Sequence, residues 1–127
     1  MIGAIIGDLV GSRFEWNNHR SKDFDLMPHQ CFFTDDSIMS LAVCDALMRC
    51  RPDFTGLGEQ AVRSMREIGR PYPNSGYGGS FYRWMYSDHP KPYNSFGNGA
   101  AMRVSGCGYA ARSLEEAKAL SKAVTEV

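Results

Sequence analysis

Apolar residues recur at helical spacing behind Phe33-Thr34-Asp35-Asp36-Ser37, with Ile38, Leu41, Ala42 and Met48 forming one stripe. This pattern predicts a helix over 34–50 with Thr34 as its N-cap. A second helix is predicted over 56–69, where Val62, Met65 and Ile68 share a face and Gly69 followed by Pro71 supplies the stop. Ser113-Leu114-Glu115-Glu116 has the form of a capping box, which opens a helix over 113–126. Shorter helical segments are predicted at 2–12, 79–86 and 98–111, the last weakened by Gly106 and Gly108 on either side of Cys107. The polar stretch from Asn17 to Cys31 reads as a long loop that could form a lid. No alternation of period two stands out and no repeat is present, so the expected fold is all-α, in a single domain over 1–127.

Gly3, Gly7 and Gly11 form a smooth stripe down the first helix. Interior glycine is unfavourable by about 1 kcal/mol relative to alanine, so the stripe predicts close approach of another helix. A membrane dimerisation stripe has the same spacing. Here the apolar run is too short and is interrupted by Asp8, Arg13 and Glu15, which excludes that reading.

Candidate chemistry concentrates at the start of the 34–50 helix. One Asp in a first turn is ordinary capping, because free N–H groups and the macrodipole favour negative charge there. Thr34, Asp35 and Asp36 together offer more oxygen than a cap needs, and three hard oxygen donors suit an octahedral Mg²⁺ completed by water. From these three residues alone the cap and the metal site both remain open. Glu15 is a further acid that could face the same place. Two glycine-rich loops follow, at 73–80 and 94–99, each ahead of a helix-like segment, an arrangement that lets backbone N–H groups approach phosphate oxygens. Neither follows a strand or fits a dinucleotide fingerprint.

Three ordered motifs carry a specific likeness: Gly7-Asp8-Leu9-Val10-Gly11-Ser12-Arg13-Phe14-Glu15, then Phe33-Thr34-Asp35-Asp36-Ser37, then Ser95-Phe96-Gly97-Asn98-Gly99-Ala100-Ala101-Met102-Arg103. Over essentially its whole length the chain resembles the ADP-ribosylglycohydrolase family. The resemblance implies an all-α, roughly orthogonal helical bundle around a two-metal site of Mg²⁺ or Mn²⁺. It implies that Thr34, Asp35 and Asp36 are metal ligands and that Glu15, Asp35 and Asp36 form the catalytic acids. Ser95, Phe96, Gly97, Asn98 and Gly99 would hold ADP-ribose, with an aromatic ring near the adenine and Gly78 lining the cleft. The implied reaction is metal-dependent hydrolysis of the N- or O-glycosidic bond between ADP-ribose and a protein side chain or small acceptor. Positive charge near the diphosphate could come from the metals, from loop N–H groups or from Arg103.

The chain departs from the family in one respect. Members carry a second acidic motif, Asp-x-Asp-Thr, far toward the C-terminus, and nothing here matches it after Asp36. The resemblance therefore implies a C-terminally truncated form, with one ion in place of two. The expected partners are ADP-ribose or an ADP-ribosylated protein, together with a homo-oligomer or a separate C-terminal half that completes the bundle. Two rival readings follow: a non-catalytic ADP-ribose-binding module, and an inactive remnant acting as an assembly unit.

Composition adds exclusions. Zero formal charge with no basic run argues against a nucleic-acid module, and no membrane partner is expected. No basic, extended apolar leader is evident. Cys31, Cys44, Cys50 and Cys107 contain no CxxC pair, so zinc is not expected and the thiols read as reduced ones of a cytoplasmic protein. His19, His29 and His89 read as structural or surface residues.

Overall fold

The computed structural model describes residues 1–127. It contains seven α-helices and no β-strand: α1 (Ile2–Gly11), α2 (Asp35–Arg49), α3 (Leu57–Gly69), α4 (Gly79–Tyr86), α5 (Gly99–Met102), α6 (Ser105–Ala110) and α7 (Leu114–Thr125). A 3-10 turn over Ser12–Phe14 extends α1. The all-α class expected from the sequence is the class observed. No helix is long and apolar enough to cross a membrane.

The core is built on α2, which packs against α3, α6 and α1. Its buried face consists of Ile38, Met39, Ala42, Val43, Ala46 and Leu47, which meet Ala61 and Met65 of α3, Met85 of α4, Cys107 of α6 and Val124 of α7. This corrects the predicted stripe: Ile38 and Ala42 are buried, but Leu41 and Met48 are exposed. Met39, Val43 and Leu47 take the central positions because α3 and α6 crowd that side of α2. Gly69 ends α3 where a Cβ would stand 2.6 Å from Met85 Sδ and 2.9 Å from Met39 Cε, so a side chain there would force these buried methionines to shift.

Two expectations for smaller elements need correction. No atom lies within 4 Å of a Cβ built on Gly3, Gly7 or Gly11, and α1 buries no residue. The glycine stripe is therefore open within this chain, and only the side of α1 that carries Asp8 is engaged. The helix expected over 98–111 is two helices, broken at Arg103 and Val104 rather than at the glycines around Cys107. Gly106 is needed where it stands, since its Cβ would meet Cys44 Sγ at 2.5 Å.

Caps fix the remaining geometry. Ser113 Oγ accepts from Glu116 N at 3.1 Å, while the Glu116 carboxylate reaches one residue beyond the usual capping box to accept from Arg112 N at 2.6 Å. Arg66 and Arg70 of α3 donate to the carbonyls that end α4: Arg66 Nε and Arg70 Nη2 reach Met85 O at 3.1 and 2.9 Å, and Arg66 Nη2 reaches Ser87 O at 2.6 Å. These cations at a helix C-terminus hold α4, and with it Phe81 and Trp84, in place. All four cysteines are free.

Candidate functional site

Thr34 stands just ahead of α2 in extended conformation, and its hydroxyl accepts from Asp36 N at 3.3 Å. The same hydroxyl donates to Asp8 Oδ1 at 2.6 Å. Asp8 reaches across from α1 and also accepts from Thr34 N at 2.8 Å, Ser37 N at 3.2 Å and Ser37 Oγ at 2.6 Å. One carboxylate thus satisfies N–H groups that the first turn of α2 would otherwise leave unpaired. Sequence reasoning included Asp8 in the Gly7–Glu15 motif and counted it as a charge interrupting an apolar run, but gave it no role of its own. The available signal was an acid at helical spacing within a stripe of small residues.

With the cap supplied by Asp8 and Thr34, the carboxylates of Asp35 and Asp36 are left over. Both are half-buried and neither takes part in an ion pair. Burial, and then the neighbouring charges of Asp36, Glu15 and Asp8, push the Asp35 carboxyl up to about 6. Burial and the Asp8 charge also raise Asp36. The backbone N–H of Asp35 donates to Ser75 O at 2.7 Å, which fastens the first glycine-rich loop to the start of α2. Gly76 of that loop has φ +97°, and a Cβ there would lie 3.1 Å from Asp35 Oδ1. Glycine is needed at this position both for its backbone and for its lack of a side chain.

A cavity of about 720 Å³ opens beside these acids. Glu15, Asp35 and Asp36 line one part of it, and Gly78 another. Ser95, Phe96, Gly97, Asn98 and Gly99 also face it, with Ser95 Oγ accepting from Gly97 N at 3.2 Å to shape the loop. The structure therefore brings all of the sequence-selected residues to one cavity except Thr34, which is buried behind it as the cap. Trp16 and Phe96 are almost fully exposed aromatic rings on its wall, and Phe81, Trp84, Tyr93 and Arg103 complete the apolar and cationic parts. The segment expected as a lid contributes nothing to the wall. It folds on the end of α1 instead, where Arg13 donates to Asp25 O and lies over the Phe14 ring at 4.5 Å, with Phe14 stacked on His19.

The chemistry of the donors suits a hard divalent cation such as Mg²⁺ or Mn²⁺: carboxylate oxygens, crowded so that their charge is disfavoured, with no cation nearby. Their number is small. No three His, Cys, Asp or Glu side chains converge to hold a metal ion. Asp35 and Asp36 are the residues that would hold one.

The chain is 26% identical over 131 residues to the ADP-ribosylhydrolase ARH3 of Xenopus tropicalis, an alignment covering 84% of this chain and 37% of that relative. The chain thus spans well under half the length of that relative. No solved structure matches it. The family model described as ADP-ribosylglycohydrolase matches residues 1–127, and the chain belongs to that family.

Proposed function

We propose that this chain carries the ADP-ribose cavity and the first acidic cluster of a metal-dependent ADP-ribosyl hydrolase, completed by further helices from another copy or another polypeptide. The observation that carries the reading is the convergence of Glu15, Asp35 and Asp36 with the 95–99 loop on one cavity. The substrate would be a side chain or small acceptor joined to ADP-ribose through an N- or O-glycosidic bond. In this reading the 95–99 loop holds the nucleotide, with Phe96 offering a face on which a planar base can stack. The anomeric carbon lies toward the acids. Glu15, exposed and free of ion pairs, orients a water molecule at that carbon and takes its proton. Asp35 and Asp36 would hold a divalent ion, which when bound would supply positive charge and Lewis acidity toward substrate oxygens.

The test is release of ADP-ribose from ADP-ribosylated arginine and serine peptides, with Mg²⁺ or with chelator. Release that requires the metal and is abolished by Asp35→Ala or Asp36→Ala supports the reading. A second reading, binding of ADP-ribose without turnover, is favoured by the absence of a third metal-ligating side chain beside Asp35 and Asp36. It predicts binding with no release under any of these conditions.

A further inference from the structure

A second, more open groove of about 420 Å³ lies between α4 and the segment that follows it. Arg83 and Lys91 line it together with Ser80, Ser87 and Tyr93, and no Asp or Glu does. Neither cation forms an ion pair. Arg83 is folded back along α4: Nη2 donates to Ser80 Oγ at 3.1 Å, and Nη1 lies 3.7 Å from where a Cβ on Gly79 would stand. The opposite wall is held by Ser87, whose Oγ accepts from His89 N at 3.2 Å and whose carbonyl accepts from Arg66. The groove runs into the cavity that holds the acids, since Ser80, Trp84, Tyr93 and Asn94 line both. Asn94 directly precedes the 95–99 loop, whereas Glu15, Asp35 and Asp36 line the cavity alone. The groove therefore opens at the loop end of the cavity.

The chain carries 14 cationic and 14 acidic side chains, so a concavity with two cations and no acid is a local excess that composition does not supply. Charges of one sign in a concave wall draw in the opposite sign. A nucleotide seated against the 95–99 loop, with its sugar toward the acids, would present to the groove only a substituent on its adenosine. We propose that Arg83 and Lys91 form a site for a further phosphate, carried on the 2′- or 3′-hydroxyl of the adenosine ribose. The chain would then favour phosphorylated ADP-ribose over ADP-ribose itself. This assignment rests on the ADP-ribose reading given above and adds to it a preference among such ligands. An arginine near the adenosine ribose is a general means of accommodating a 2′-phosphate. Its planar fork pairs with two phosphate oxygens, while lysine adds a point charge.

The experiment is calorimetric titration of the full chain in Mg²⁺ with ADP-ribose, its 2′- and 3′-phosphates and inorganic phosphate, for wild type and the double variant Arg83→Met, Lys91→Met. Both side chains are exposed, so the double variant should fold. Wild type should bind one of the two phosphorylated forms about threefold to thirtyfold more tightly than ADP-ribose, the worth of charge-assisted hydrogen bonds screened by solvent. That preference should shrink as salt is raised. The double variant should lose it while keeping its ADP-ribose affinity within about twofold. Equal wild-type affinity for ADP-ribose and both phosphates would overturn the groove site and leave the ADP-ribose reading intact. A preference that survives in the double variant would overturn the assignment to Arg83 and Lys91. An equal loss for all three nucleotides would also overturn it, because the two cations would then act on parts that the ligands share. Inorganic phosphate bound through Arg83 and Lys91, with no nucleotide bound, would remove both the ribose phosphate and the ADP-ribose reading. Binding of none of the four would likewise remove both.

Discussion

At the scale of single residues, the site depends on a division of labour among neighbouring carboxylates. Asp8 accepts four hydrogen bonds from Thr34 and Ser37. Asp8→Ala should therefore destabilise the fold by about 2–4 kcal/mol in denaturant melts. A loss under about 0.5 kcal/mol, the range of an ordinary surface substitution, would contradict this role. Asp35 acts in the opposite direction. Its carboxyl is raised from 3.8 to about 6, so the folded state holds this proton more tightly than the unfolded chain does. Stability is lost as pH climbs between those values, and the penalty is complete above the upper one. Asp35→Asn should then raise the unfolding midpoint above about pH 7 by the equivalent of about 1–2 kcal/mol, allowing for partial exposure, and change it little below about pH 3.8. Equal midpoints for the two proteins at neutral pH would refute the charge crowding. The acids of the Thr-Asp-Asp motif were legible in the sequence because their number exceeds what a cap needs. The capping carboxylate was not, because it comes from a helix 26 residues away, and local pattern says nothing about which side chain crosses to which helix end.

At the scale of elements, α2 and α7 were legible from their caps, Thr34 and Ser113, and α3 from its apolar face and its stop at Gly69 and Pro71. The 98–111 segment was read as one helix because its composition contains no proline to break it. Its break at Arg103 has a tertiary cause, since Arg103 is drawn inward to Val124 O and the Phe81 ring. The glycine stripe of α1 misled for the same reason: spacing marks a face that can be approached, not one that is. Glycine substitutions should separate the two situations. Gly7→Ala, with nothing near its Cβ, should stabilise α1 by about 0.5–1 kcal/mol. Gly69→Ala, whose Cβ would meet Met85 and Met39, should destabilise by about 1–3 kcal/mol. Chemical denaturation of both variants checks the pair, and a loss of stability in Gly7→Ala would mean that another chain covers α1.

At the scale of the whole molecule, the chain exposes 8387 Å². A compact monomer of its 14.1 kDa mass would expose about 6,700 Å². The excess includes Ile2 and Ile6 on α1, Leu41 and Met48 on α2, and Tyr109 and Leu114 near α7. Apolar surface of this extent favours association. Sedimentation of the purified chain should give an oligomer at micromolar concentration, and a stable monomer with a sharp unfolding transition would count against completion by a partner. The central claim is that the cavity beside Asp35 and Asp36 takes ADP-ribose together with a divalent ion. Its most direct test is the unfolding midpoint with and without ADP-ribose, each in Mg²⁺ and in chelator. Ligand at about a hundred times its dissociation constant should stabilise the fold by about 2.7 kcal/mol. The account predicts a shift of that size in Mg²⁺, reduced in chelator and lost in Asp36→Ala. The same midpoint under all four conditions would contradict it.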